Sequence, residues 1–181
     1  MIKPALISAI GLFSMSGLAN DLNQANHLAQ YEDTTMQAIQ LDTKVGQLAA
    51  NLYLPEGVEN PPVVVVTGAW TTVKEQMPAV YAQALADQGY AAVTFDFRGW
   101  GQSDDTIKYL EDPTRKTEDI RAVIDAVANL EQVDGSRVAG LGICASSGYM
   151  MDATAGNDKV AAVALVAPGC TTNQWQPPFT G

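Results

Sequence analysis

Apolar and polar positions alternate along this chain in a way that predicts its elements in turn. From Gln37 to Leu54, QAIQLDTKVGQLAANLYL alternates roughly with period two and stops at Pro55 and Gly57. Period two places successive side chains on opposite faces of a sheet, so the stretch predicts an antiparallel hairpin with its turn near Asp42–Gly46. Pro61 and Pro62 then introduce four consecutive valines, Val63–Val66. A β-branched run with no polar face belongs to a strand buried on both sides, as in parallel sheets. Met77, Val80, Tyr81, Ala84 and Leu85 recur at helical spacing and are followed by Gly89, a residue suited to the position after a helix end.

YAAVTFDF (90–97) reads as a second parallel-type strand, and RGWGQSDD (98–105) as a glycine-broken loop. A second helix is expected after Pro113, with Thr117 as N-cap and Glu118 and Asp119 in a first turn that favours negative charge. Ile120, Val123, Ile124, Val127 and Leu130 form its apolar stripe. RVAGLGI (137–143) is a third strand, YMMDATA (149–155) opens a third helix, and KVAAVALVAP (159–168) carries a fourth strand. The expected strands at 63–67, 91–96, 137–142 and 160–166 alternate with helices, and the hairpin joins them as antiparallel edge strands. This is an α/β fold, an open and mostly parallel sheet with helices on both faces. Such sheets bind ligands at the carboxyl ends of their strands. TGAW (67–70), DFRGWGQSD (96–104) and GICASS (142–147) fall there.

Composition narrows the class. The 181 residues, 47% hydrophobic and 17% charged, suit an ordinary globular chain with a sizeable core. A net charge of −10 opposes binding to nucleic acid or anionic lipid, because both would repel it. No cofactor motif or metal-ligand cluster stands out. At the N-terminus, Lys3 precedes an apolar run that ends at Gly17-Leu18-Ala19, small at both positions a signal peptidase reads. The run from Pro4 to Ala19 is shorter than the ~20 residues a membrane span needs. The expected organisation is therefore a signal peptide (1–19), a polar, mobile lead-in (20–36), an α/β domain (37–168) and a tail (169–181). No membrane span is expected after cleavage, and the mature protein is expected in the periplasm or secreted.

Gly142-Ile143-Cys144-Ala145-Ser146 sits between a strand and a helix with the pattern small-x-nucleophile-x-small of a nucleophile elbow. The turn strains the nucleophile's backbone, and the residues two before and two after must be small because strand and helix pass close together. Cys144 would stand at a helix N-terminus, where negative charge is favoured. The Ala145 N–H would face a developing oxyanion, and Ala69 or Trp70, after the valine strand, would supply a second donor. Two other readings stand beside this one. Cys144 could be an inert buried thiol, or Ser146 could be the nucleophile, with Cys144 and Gly148 as the small pair. Trp70 and Trp100 could line a pocket or cap the core. His27 lies in the polar lead-in and reads as a solvated residue.

Five segments carry a family resemblance: VVVVTGAWTTVKEQM, GYAAVTFDFRGWGQSD, EDPTRKTEDI, VDGSRVAGLGICASSGYM and VAAVALVAP, spread from about Pro61 to Pro168. Their order and spacing resemble the α/β-hydrolase superfamily, in its dienelactone-hydrolase-like and secreted peptidase- or esterase-like branch. The resemblance implies the α/β-hydrolase fold and hydrolysis of an ester, lactone, thioester or amide in a small-molecule or peptide substrate. It implies Cys144 as nucleophile and Thr67-Gly68-Ala69-Trp70 as the oxyanion loop, with Thr67 where relatives often carry histidine. It implies a structural Asp96, with Arg98 and Asp104 bracing the strand ends.

The superfamily's triad acid and histidine are expected beyond Pro168. GCTTNQWQPPFTG (169–181) holds no Asp, Glu or His, and the chain's single histidine is His27. Similar proteins read Trp-Leu-His-Asp after the Ala-Pro, and one codon choice for those residues yields Gly-Cys-Thr-Thr after loss of its first base. A one-base deletion near the Gly169 codon is therefore the expected origin of this tail, and the 181-residue chain is expected to be inactive. A non-catalytic remnant or binding module is the alternative. Cys144 and Cys170 are not expected to form a disulfide, because the elbow would fix the thiol's direction.

Overall fold

The computed structural model describes residues 35–168. The expected signal peptide, His27, Cys170 and the tail lie outside the described residues. In chain order the elements are β1 (Thr35–Thr43), β2 (Gly46–Leu54), β3 (Pro62–Thr67), α1 (Met77–Ala86), β4 (Ala91–Phe95), α2 (Pro113–Val127), β5 (Asp134–Ile143), α3 (Ala145–Thr154) and β6 (Val160–Val166). They build one sheet in the order β1-β2-β4-β3-β5-β6. β1 and β2 form the expected hairpin, which pairs antiparallel with β4, while β4, β3, β5 and β6 run parallel. β1 starts at Thr35, two residues inside the stretch assigned to the lead-in.

The valine run explains the layering. Val63 and Val65 face α2 and α3, with Ile120, Val123, Ile124, Val127 and Met150. Val64 and Val66 face α1, with Ala82 and Ala86. Every residue of β4 is buried as well, so β3 and β4 form the doubly covered centre of the sheet. The side chains of Ile120, Val123, Ile124 and Val127 are completely buried, and each contributes roughly 1.5–3 kcal/mol of transfer free energy.

Three helices differ from expectation in detail. Asp112, not Thr117, caps α2: its side chain accepts the Arg115 N–H, and Pro113 fits the first turn, where no partner for its nitrogen is needed. Thr117 is buried inside the helix. In α1 the buried positions are Pro78, Ala82 and Ala86, whereas Met77 and Val80 are exposed. Small side chains let this helix lie close to the sheet, so the expected stripe of larger residues is rotated partly outward. α3 starts at Ala145, four residues before the expected opening at Tyr149. No helix among the described residues is long and apolar enough to cross a membrane.

Candidate active site

Cys144 stands between the end of β5 and the first residue of α3, with φ 57° and ψ −120°. A positive φ is costly for a residue with a Cβ and persists only when its surroundings enforce it. Here the enforcement is visible. The Cys144 N–H donates to the Val166 carbonyl at 2.9 Å, tying the turn to β6. The Ser147 hydroxyl donates to the Gly142 carbonyl at 2.9 Å and to the Val166 carbonyl at 3.1 Å. A Cβ on Gly142 would lie 2.7 Å from the Ser146 carbonyl oxygen and 2.9 Å from the Ser147 Cα, so only glycine lets strand and helix pass so closely. Cys144 is exposed, whereas Ser146 is buried.

The loop after β3 leaves the sheet beside this turn. Thr67 is the register partner of Gly142, so Gly68–Trp70 and Ile143–Cys144 continue from paired positions at the same sheet end. The Thr67 hydroxyl donates to the Leu141 carbonyl at 3.3 Å, which occupies it with bracing β5. The Thr72 N–H and hydroxyl both donate to the Ala69 carbonyl, at 3.2 and 2.7 Å. Gly68 has no room for a Cβ, which would meet the Thr72 hydroxyl at 2.3 Å. Trp70 is half exposed. Trp100 is buried and its indole N–H donates to the Leu110 carbonyl, so it caps the core.

Charged side chains lock the surrounding loops. Asp96 is buried and accepts the Lys74 N–H and ammonium, both at 2.8 Å, and the Gln102 N–H at 2.9 Å. Burial pulls the Lys74 ammonium down, but hydrogen bonds to Asp96 and Glu75 outweigh it, and its pKa is raised. Arg98 pairs with Asp119 and Glu118 on α2, the bracing role expected of it. Asp104 does not share that role: it is almost fully exposed, and its carboxylate pairs with Lys108 and accepts the Asp105 N–H. Ser103 does the bracing instead, donating to the Asp96 carbonyl at 2.6 Å and accepting the Ala49 N–H at 2.9 Å. Lys116 is buried against Glu111 at 2.7 Å and lies 4.7 Å from the ring centres of Phe97 and Trp100. Tyr149 on α3 donates to the same Glu111 at 2.8 Å. Burial pushes the Lys116 ammonium below its ordinary range, against the pull of Glu111. The sequence did not single out Lys74 or Lys116, because lysines are ordinarily exposed. Lys116 lies four residues before Ile120 on the apolar stripe of α2, a spacing that could have marked it, whereas Lys74 lies in a loop without periodicity.

Comparison with known proteins gives the family. Residues 44–177 match the family model described as X-Pro dipeptidyl-peptidase (S15 family). The chain belongs to this family. A Pseudomonas aeruginosa relative, "Uncharacterized protein PA2218", is 36% identical over 118 residues, 64% of this chain and 32% of that protein. Its crystal structure superposes with a TM-score of 0.70, covering 74% of this chain and 43% of that one. Escherichia coli YcjY is 33% identical over 123 residues, 66% of this chain and 40% of that protein. The dienelactone hydrolase-like promiscuous phosphotriesterase P91, from metagenomic libraries, shares the fold at a TM-score of 0.62 and 23% identity, covering 74% of this chain and 59% of that one. The S15 chain thus spans less than half the length of PA2218 and YcjY where they match. Family and fold together bear out the expected α/β-hydrolase resemblance, with its mostly parallel sheet.

Proposed function

We propose that the protein is the nucleophile-bearing part of a hydrolase that cleaves an ester, lactone, thioester or amide through Cys144. The observation that carries this reading is the positive-φ turn of Cys144, exposed at a helix start beside the loop after β3. Strain held at an exposed thiol is what a nucleophile elbow requires, and a merely structural cysteine gains nothing from it. The sulfur would attack the substrate's carbonyl carbon, forming a tetrahedral oxyanion. The Ala145 N–H and an N–H from Ala69 or Trp70 are the proposed donors to that oxygen. Collapse would expel the alcohol, thiol or amine leaving group and leave a thioester on Cys144. Water would then cleave the thioester and restore the thiol.

This cycle needs a base to take the thiol proton and to activate water. The described residues contain no histidine, so the base is proposed to come from outside residues 35–168. That same fact favours a second reading, in which the 181-residue chain binds carbonyl compounds without turning them over. Hydrolysis of p-nitrophenyl esters by the 181-residue chain, with Cys144→Ala as control, separates the two. Cys144-dependent turnover supports the first reading; binding without turnover supports the second. Export is proposed on the pattern of residues 1–19, and N-terminal sequencing of the protein recovered outside the cytoplasm tests it.

A further inference from the structure

We infer that the buried Lys74–Asp96 pair is a positioning device for the loop that carries Ala69 and Trp70, setting how well that loop stabilises charge opposite Cys144. The inference rests on the proposed nucleophile and deepens it.

Between β3 and α1 the chain crosses residues 68–76 without regular structure. Three sets of contacts define its course. Near β3, the Ala69 carbonyl is held by both donors of Thr72, and Thr71 takes a positive φ of 63°. Near α1, the Gln76 side-chain carbonyl accepts the Val73 N–H at 3.0 Å while the Gln76 backbone N–H donates to the Val73 carbonyl at 3.1 Å. Between them, Lys74 leaves the loop and enters the protein. It is 1% exposed, which is rare for a lysine. Its ammonium bonds Asp96, Glu75 and Gln102 at 2.8, 2.6 and 2.8 Å. Its own backbone N–H donates to the other oxygen of the Asp96 carboxylate.

Asp96 directly follows β4, the neighbour of β3. One carboxylate therefore grips both the backbone and the side chain of a single loop residue and fixes it to the rigid centre of the sheet. A desolvated ion pair is an expensive way to gain stability, since apolar residues of similar size often do as well. What it supplies here is direction: the hydrogen bonds specify where the loop's backbone lies. Oxyanion donors depend on such placement, and an error of about 1 Å can cost roughly a hundredfold.

The test uses the 181-residue chain and a trifluoromethyl ketone, 1,1,1-trifluoro-2-butanone. Its carbonyl carbon takes the Cys144 sulfur, and its oxygen becomes the oxyanion or, after protonation, the hydroxyl of a hemithioketal. Fluorine NMR reads the adduct's affinity. Iodoacetamide alkylation of Cys144 reads the thiol without using an oxyanion site. Lys74→Met and Asp96→Asn are expected to weaken the adduct by roughly ten- to a hundredfold while leaving the alkylation rate unchanged. Lys74→Arg, which keeps the charge, is expected to retain most of the affinity. Gln102→Ala removes one partner of Lys74 without leaving a buried charge unpaired, and a smaller loss is expected there if the other two variants fail to fold. Undiminished adduct affinity in the folded variants, with Cys144→Ala abolishing the adduct, would overturn the positioning role and leave the nucleophile intact. An adduct that survives Cys144→Ala, or none in the unsubstituted chain, would overturn both.

Discussion

Thr67 and Gly142 are register partners on the adjacent parallel strands β3 and β5. That pairing brings the two parts of the proposed site to one end of the sheet. Two residues beyond each partner lie Ala69 and Cys144, so the loop after one strand and the turn after the other leave the sheet together. Parallel strands make this possible, because neighbouring carboxyl ends then share one edge of the sheet.

Gly142 is where the turn is sterically tightest. In Gly142→Ala the new Cβ would lie 2.7 Å from the Ser146 carbonyl oxygen and 2.8 Å from the Met150 Cβ. Backbone cannot step aside cheaply, so we expect a loss of about 1–3 kcal/mol. Urea unfolding measures it. Unchanged stability would mean that α3 is not packed on β5 as described.

Lys116 and Glu111 form a buried pair within a cage of aromatic rings. Lys116→Met removes the cation and leaves Glu111 with the Tyr149 hydroxyl, at an expected cost of about 3 kcal/mol. Lys116→Met combined with Glu111→Gln removes both charges and is expected to recover part of that loss. A double-mutant cycle by denaturant unfolding decides. Strict additivity would show that the two side chains do not act as a pair.

Asp134 gives the acid limb of stability a recognisable component. Its carboxyl is held down to about 2 from 3.8 by the Ser136 hydroxyl, then by Arg137 and the Ser136 N–H. A depressed carboxyl pKa stabilises the folded chain above the unfolded value and loses that effect as pH falls through the folded one. Asp134→Asn should therefore lower Tm at about pH 5 and converge with the unsubstituted chain near pH 2. Equal differences at both pH values in thermal melts would contradict the assignment.

The expected elements came through where burial is written into composition, as in the valine run of β3 and the small residues around Cys144. Details set by side-chain chemistry did not. The cap at Asp112 precedes Pro113 and so lies outside the apolar periodicity that marks α2, although aspartate before proline is a strong helix start. The α1 stripe was misplaced because alanines, not the larger Met77 and Val80, make its contacts. The roles of Asp104 and Ser103 could not be told apart in sequence, since both follow the same glycine-rich turn and only burial separates them. The elbow pattern supplied the roles expected of Ala145, Ala69 and Trp70, and the family resemblance pointed to the same loop, residues 67–70.

Val163 bears on solubility. Among the described residues β6 is an edge strand, paired on one side only, with Ala161, Ala162, Val163 and Ala164 exposed. An exposed apolar edge is a template for aggregation, and a lysine there blocks it. Val163→Lys is expected to slow the rise of light scattering on incubation of the 181-residue chain. An unchanged rate would place the aggregating surface elsewhere.

The central claim is that Cys144 is the reacting group, and covalent capture tests it most directly. The 181-residue chain is incubated with p-nitrophenyl acetate at mildly alkaline pH, digested with trypsin and mapped by mass spectrometry. The sulfur should displace p-nitrophenolate and carry the acetyl group as a thioester within the peptide Val138–Lys159, and Cys144→Ala should lose that label. Acetylation confined to lysines, with Cys144 still free to react with iodoacetamide, would contradict it.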